Sequence, residues 1–315
     1  MRVFRGLEEV PEDFGPCALT VGNFDGVHAG HREILRRVVE VAREQRWRSA
    51  AMTFDPHPAR VVAPERAPRL MTAPEQRIAA MAADGIEEVL VLPFDATVAL
   101  WSPDFFVREV LVRKLKARAV LVGEDFRFGH KHAGNAALLR VLGAELGFVT
   151  EFVPPVIRRG ARVSSSRIRE MVETGHVGPA CRLLTRPFAL QGLVVSGHGI
   201  GNRQTVPTLN LKPEFEILPA RGVYVTRTRD VESGAEWRSV TNVGMRPTFD
   251  GDALTIETFV LGELRETPRE IRVEFLARVR AERKFSSAEA LKEQILRDVR
   301  SAERYFGACN NRNEL

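Results

Sequence analysis

Residues 18–45 read ALTVGNFDGVHAGHREILRRVVEVAREQ, and this stretch decides the fold of the first half of the chain. Its opening, ALTVG (18–22), is a short β-prone run ending on glycine, which predicts a strand. From His31 to Gln45 the apolar residues Ile34, Leu35, Val38, Val41 and Ala42 recur on one helical face. Between the two lies a turn punctuated by Gly22, Gly26 and Gly30. A strand that turns directly into an amphipathic helix is the first part of a β-α-β unit. The unpaired N–H groups and positive dipole end of such a helix start suit phosphate.

The same alternation continues downstream. SAAMTF (49–54) is strand-like and is followed by the turn-forming DPHP; EQRIAAMAADG (75–85) predicts a helix closed at Gly85. EEVLVLPF (87–94) is a buried strand, PDFFVREVLVRKL (103–115) a helix, and ARAVLVG (117–123) a further strand. Such a pattern predicts a Rossmann-like parallel sheet with helices on both faces, and ligands there bind beyond the carboxyl ends of the strands. Near Pro187 the texture changes to short β-branched runs: LQGLVVSG, GVYVTRT, WRSVTNVG, ALTIETFVL and EIRVEFLARVR. Separated by Gly, Pro and Asp turns, they predict a small antiparallel barrel. A terminal helix follows, opened by a capping box of Ser286 and Glu289 and carrying the stripe Leu291, Ile295, Val299 and Ala302 for docking on the barrel. The fold expected is therefore α/β plus β. Domains are placed at 1–186 and 187–307, with a frayed tail at 308–315.

Composition narrows the function. At 315 residues, 44% hydrophobic and 28% charged, the chain supports two cores. No run approaches the roughly 18–20 apolar residues of a membrane helix, and MRVFRGLEEV has no secretory apolar region. Cys17, Cys181 and Cys309 form no CxxC pair, so neither a disulfide framework nor a thiolate metal site is suggested, and a cytoplasmic location is expected. The net charge of +5 comes from arginines interleaved with almost as many acids. That is a mixed-charge surface and not the basic stripe of a nucleic-acid binder. The expectation is a monomer or weak homo-oligomer without nucleic-acid or membrane partners.

In the glycine-punctuated turn, His28 and His31 are three apart, so their side chains fall together on the first helical turn. Two imidazoles there can donate to a triphosphate and follow its charge as pyrophosphate leaves. Asp25 either holds the loop or binds ribose. A metal site of His28, His31 and His57 is an alternative use of the same residues, and plain surface histidines are another.

GNFDGVHAGH resembles the HxGH signature of the nucleotidyltransferase superfamily, in the form found in bacterial FAD synthetases. The resemblance extends through TFDPHP (53–58), GEDFRFGHKHAGN (123–135) and SSSRIRE (164–170). It implies ATP contacts at Gly22, Asn23, Phe24, Asp25, Gly30, Ser164, Ser165, Ser166 and Arg169, with His28 and His31 catalytic. It also implies flavin contacts at His57, Pro58, Asp125, Phe126 and Phe128. On their own residues, Ser164 to Ser166 open a short helix closed at Gly175, while Phe126 and Phe128 either flank a flat ring or pack in the core.

In the second half, SGHGIGNRQTVPTLNL (196–211) places Gly197, Gly199 and Gly201 as GxGxG, not GxGxxG, before a proline turn. The chain has neither GxxxxGK[ST] nor the HRD and DFG of protein kinases. Pro207 stiffens the turn, and the oxygens of Thr208 and Asn210 suit Mg²⁺ carrying ATP phosphates. The run resembles the riboflavin kinase module, as do RGVY (221–224) and NVGMRPTF (242–249), and Glu257 aligns with that module's catalytic glutamate. Departures are Leu209, Asn202, Gln204-Thr205-Val206, Phe259 and Gly262, which bear on nucleotide or flavin affinity; the metal and base residues are kept. The resemblance implies a bifunctional enzyme that phosphorylates riboflavin to FMN and then adenylates FMN to FAD, using ATP and Mg²⁺. Two alternatives stand beside it: an HxGH adenylyltransferase for another acceptor with a barrel that only binds, and a non-enzymatic flavin sensor or nucleic-acid binder.

Overall fold

A computed structural model describes residues 1–195, 208–212, 216–248 and 251–313, and the chain divides into two compact units, Met1–Ser165 and Ser166–Leu315. The first is built on strands β1 (Arg2–Phe4), β2 (Cys17–Val21), β3 (Arg48–Asp55), β4 (Glu88–Pro93), β5 (Ala117–Gly123) and β6 (Val149–Val153). They form one six-stranded sheet in the order β1-β4-β3-β2-β5-β6, parallel throughout. Strand β2 at its centre is buried at every residue, as a strand covered on both faces must be.

Helices α1 (Ala29–Gln45) and α2 (Pro74–Ala83) cover one face. Leu35, Val38, Val39 and Ala42 of α1 pack there with Ile78 and Met81 of α2, while Ile34 and Val41 flank the stripe and are only partly buried. The other face is covered by Phe106, Val107, Val110 and Leu111 together with Leu139 and Leu142 of α3 (Ala136–Leu146). Fully burying each such side chain contributes about 1.5–3 kcal/mol. The helix expected at 103–115 forms, opening with an α-helical turn at Pro103–Phe105 and wound as a π-helix over Phe106–Lys114.

The second unit contains α4 (Ser165–Glu173, of which only Ser165 falls in the first unit), α5 (Val177–Leu184) and a barrel. Helix α5 packs on the barrel's first and last strands. The unit boundary thus falls after the first residue of α4, whereas the sequence reading divides the chain after α5, at 186. The barrel strands are β7 (Phe188–Val195), β8 (Thr208–Leu211), β9 (Gly222–Asp230), β10 (Glu236–Thr248), β11 (Gly251–Val260) and β12 (Glu270–Ala281). They close in the order β7-β8-β11-β10-β9-β12, all antiparallel, with β12 pairing back to β7.

Alternation along β9 sends Tyr224, Thr226 and Thr228 into the lumen and Val223 and Val225 outward. Inside, five fully buried hydroxyls form one chain, Thr228–Ser239–Thr226–Thr241–Thr258, with links of 2.8–2.9 Å. Outside, Val223, Val225 and Val240 pack against Ala302 and Phe306 of the terminal helix α6 (Ala288–Asn313). Its first turn is capped by Ser287, whose Oγ accepts from the Ala290 N–H at 3.2 Å; the expected Ser286 is one residue too early. The helix also runs on to Asn313, through residues expected to fray.

Candidate active sites

From β2 the chain proceeds to β3 and β4 on one side, then crosses to β5 on the other. The carboxyl ends of β2 and β5 therefore frame the crevice where a doubly wound sheet binds its ligand. The 22–31 loop leaves β2 there, and the 123–135 loop leaves β5.

The 22–31 loop is held from behind. The Gly22 N–H donates to Met52 O at 3.0 Å, and Asn23 O accepts from Arg77 Nη1 at 2.8 Å and from Thr53 Oγ1 at 3.3 Å. Asp25 is buried, and its Oδ1 accepts from the N–H groups of Met71 and Thr72 and from the Thr72 hydroxyl, at 2.9–3.2 Å. Thr72 Oγ1 in turn accepts from the Gly26 N–H at 3.0 Å. Of the two roles open to Asp25, this geometry shows loop anchorage. The loop turns through Phe24, Gly26 and Val27 at φ of 50°, 82° and 36°. Left-handed backbone at a β-branched valine costs energy and persists where the surroundings over-determine it, as at functional sites.

That turn delivers His28 as the N-cap of α1, with Nδ1 accepting the His31 N–H at 3.3 Å. A ring nitrogen that accepts carries no proton, so neutral His28 is protonated on Nε2 and presents that edge as a donor. The rings of His28 and His31 stack with centroids 3.7 Å apart and planes 10° from parallel, and His31 meets Phe24 edge-on at 5.2 Å. Gly30 leaves them room: a Cβ there would stand 3.2 Å from His28 Cε1 and 3.3 Å from its Nδ1, close enough to press the ring. The structure thus brings together Gly22, Asn23, Phe24, Asp25, His28, Gly30 and His31.

Ser165 joins this loop, its hydroxyl donating to Asp25 O at 3.0 Å. Ser164 is half-buried and Ser166 exposed, and Arg169 stands half-buried on α4 in the second unit. His57 is buried beyond β3, its Nδ1 accepting from Ala59 N–H at 3.2 Å, and the half-buried Pro58 follows the cis bond between Asp55 and Pro56. In the 123–135 loop, Phe126 and Phe128 stack on one another at 5.4 Å and 17°. Phe128 is core, pressed on Gly134 and Phe106, so the outer surface of half-buried Phe126 is the face a ring can reach. Asp125 is exposed and paired with Arg162 at 2.6 Å.

In the second unit, Gly197, Gly199, Gly201 and Pro207 lie outside the described residues. Asn210 on β8 stands opposite Glu257 on β11, which stands opposite Asn242 on β10. Two residues along, and so on the same face, exposed Thr208 faces Phe259, which faces Val240. Cross-strand neighbours share a face, so the oxygens of Thr208 and Asn210 lie on the same outer face as Glu257. Glu257, Asn242, Phe259, Val240 and Val223 line a cavity of about 270 Å³ beneath Leu291, Ile295 and Val299 of α6. Glu257 is therefore not a solvent-facing strand residue. Arg280 clamps Asp298 of α6 with both Nε and Nη2, at 2.8–3.1 Å, and Gln294 Nε2 donates to the same carboxylate at 2.7 Å. These bonds pin α6 over the cavity.

Four residues of these sites escape the sequence reading. Arg77 and Thr72 act on the 22–31 loop from about fifty residues away, and no local pattern marks them. Asn242 opens the NVGMRPTF run and could have been placed opposite Glu257 from the strand register. Arg280 has no signal short of its helix partner.

Comparisons with known proteins fall on the same two units. The FAD synthetase family model matches residues 10–167, and the riboflavin kinase model matches residues 184–306. A bifunctional riboflavin kinase/FMN adenylyltransferase of Escherichia coli K12 is 33% identical, over 98% of this chain and 98% of its own. One from Pseudomonas fluorescens is 35% identical, over 96% of this chain and 97% of its own. Among solved structures, one described as a macrolide-efflux protein from Streptococcus pneumoniae superposes with a TM-score of 0.85 at 27% identity, covering 96% of this chain and 98% of that one. Among the described residues, no helix is long and apolar enough to cross a membrane.

Proposed function

The chain belongs to the bifunctional riboflavin kinase/FMN adenylyltransferase family, and from that premise we propose how its residues divide two consecutive reactions. The barrel unit phosphorylates riboflavin to FMN with ATP. The sheet unit transfers AMP from a second ATP to FMN, giving FAD and pyrophosphate. The observation that carries this reading is the pairing, in one chain, of the stacked His28 and His31 at the sheet's switch point with Glu257 in a half-buried cavity under α6.

In the kinase step the ribityl 5′-oxygen attacks the γ-phosphorus of ATP and ADP leaves. Glu257 accepts the hydroxyl proton. The apolar walls of the cavity, Phe259 among them, take the flavin ring, and Arg280 and Asp298 hold α6 across it. The Thr208 hydroxyl and the Asn210 amide oxygen form an oxygen donor set that fits Mg²⁺. Held by these two oxygens, Mg²⁺ would supply positive charge against the phosphates of ATP. Gly197, Gly199, Gly201 and Pro207, outside the described residues, are assigned to the ATP of this step on the resemblance of their run to the riboflavin kinase module.

In the adenylyl step an FMN phosphate oxygen attacks the α-phosphorus and pyrophosphate departs. His28, protonated on Nε2, and His31 donate to the polyphosphate as its charge grows, and the amides of 22–31 position it. Ser164 and Ser165 join the phosphate grip, Ser166 and Arg169 are assigned to ATP on the resemblance of the SSSRIRE run, and the functional division is put near 186. The flavin rests on the outer face of Phe126, with His57, Pro58 and Asp125 at its edges and Phe128 supporting from the core. The mixed-charge surface suits a cytoplasmic monomer or weak homo-oligomer whose partners are small molecules, not nucleic acid or membrane.

The test is incubation of the purified chain with ATP, Mg²⁺ and riboflavin, followed by chromatography. FMN and then FAD are expected. Absence of both rejects the reading, and FAD from supplied FMN alone rejects the kinase assignment.

A further inference from the structure

Arg77 is only 1% exposed, and its guanidinium lies inside the first unit. It sits in the first turn of α2, where a cation opposes the partial positive charge of the helix start. Its hydrogen bonds go to two backbone carbonyls, Asn23 O at 2.8 Å and Phe54 O at 3.5 Å, while Asp25, Asp55 and Glu75 attract it only through space. Its Nε finds no partner among the described residues. Burial draws its pKa below the usual arginine range. A guanidinium desolvated without a carboxylate bond is a poor packing choice, and an apolar side chain of similar length fills such a space at lower cost.

What the guanidinium does is tie the 22–31 loop to the carboxyl end of β3. Asn23 begins the stretch that leads to His28, and Phe54 begins the one that leads to His57. A rigid fork with several donors bridges two carbonyls in a way that a single ammonium does not. The Asn23–Phe24 peptide is trans and planar, so its C=O and N–H point in opposite directions. With the carbonyl drawn back to Arg77 and Thr53, the Phe24 N–H is turned away from them.

We propose that Arg77 is a positioning residue for adenylyl transfer, fixing the Asn23–Phe24 peptide so that the Phe24 N–H meets the polyphosphate of ATP. The proposal rests on the adenylyltransferase reading above. Its effect falls on ATP, not on the flavin.

The test uses the full chain as wild type, Arg77→Lys and Arg77→Gln. FAD formation from FMN is followed with ATP and FMN varied in turn, alongside thermal melting and riboflavin phosphorylation. In Arg77→Gln, KM for ATP rises about tenfold or more while KM for FMN stays within about twofold. Arg77→Lys, which keeps the charge but reaches one carbonyl at a time, recovers part of that loss, and the kinase rate is unchanged in both. A folded Arg77→Gln with wild-type KM for ATP overturns the proposal, as does a loss explained wholly by unfolded protein or confined to KM for FMN. If Arg77→Gln does not fold, Arg77→Lys decides: a wild-type KM for ATP in that variant overturns it. A wild type that makes no FAD from FMN and ATP instead rejects the underlying reading, and is distinguishable from an active wild type with indifferent variants.

Discussion

The imidazoles of His28 and His31 lie face to face, 3.7 Å between centroids, with His28 oriented by the backbone N–H of its partner. The two rings are one unit, so truncating either removes a donor and the surface that braces the other. His28→Ala is expected to lower FAD formation from FMN by about 10²–10³-fold, the usual cost of one preorganised donor. FMN formation from riboflavin continues at the wild-type rate. Equal loss of both activities would show that the two sites are not independent.

Gly30→Ala separates stability from catalysis. Alanine is favoured over glycine within a helix by about 0.5–1 kcal/mol, yet the new Cβ presses on the His28 ring at 3.2 Å. Adenylyl transfer should fall by about tenfold or more, since small misplacement of a positioning group is expensive, while the melting temperature is unchanged or higher. Calorimetry and initial rates on the same preparation check this. A variant with wild-type rates would mean that the ring tolerates displacement.

Glu257→Gln keeps the size of the side chain and removes the base. Riboflavin phosphorylation should drop by about 10²–10⁴-fold, with FAD production from FMN intact. A retained kinase rate would move the proton acceptor elsewhere in the cavity.

Tyr224 makes the barrel sensitive to alkali. Burial raises its pKa from 10.0 to about 12, and its hydroxyl donates to Ala220 O. Because the folded-state pKa lies above the unfolded one, the folded barrel holds the proton more tightly. The stabilisation is complete below pH 10 and fades as pH climbs towards 12, by roughly 3 kcal/mol at most. Denaturant unfolding at stepped pH should show a decline over this window that is shallower in Tyr224→Phe. Identical slopes would refute it.

The central architecture was legible because its signals are local. The β2-to-α1 turn, the apolar stripe of α1 and the five β-branched runs of the barrel each announce themselves within a dozen residues. The edge strands Arg2–Phe4 and Val149–Val153 were not read, being short or half-exposed and lacking a clean apolar pattern. Strand Thr208–Leu211 is four residues long, too short to show an alternation of its own beside the glycine-rich run before it. At the sites, residues that carry their own chemistry were found: His28, His31 and Glu257. Those that act through distant backbone were not, because Arg77 meets Asn23 and Phe54 only after the sheet has formed. Asn242 and Glu257 likewise become neighbours only through the register of β10 and β11.

The hydroxyl chain in the barrel lumen has a consequence for how this sequence can drift. Each member has one proton to give, so none can donate along both of its links, and the choice made by one rotor constrains the next along the chain. Replacing Thr226 alone with valine would break two links at once and leave Ser239 and Thr241 with one hydroxyl partner each, whereas replacing the whole set with apolar residues would leave no hydroxyl short of a partner. The lumen is accordingly an all-or-none trait, inherited as a block and separated from an oily alternative by intermediates less stable than either end.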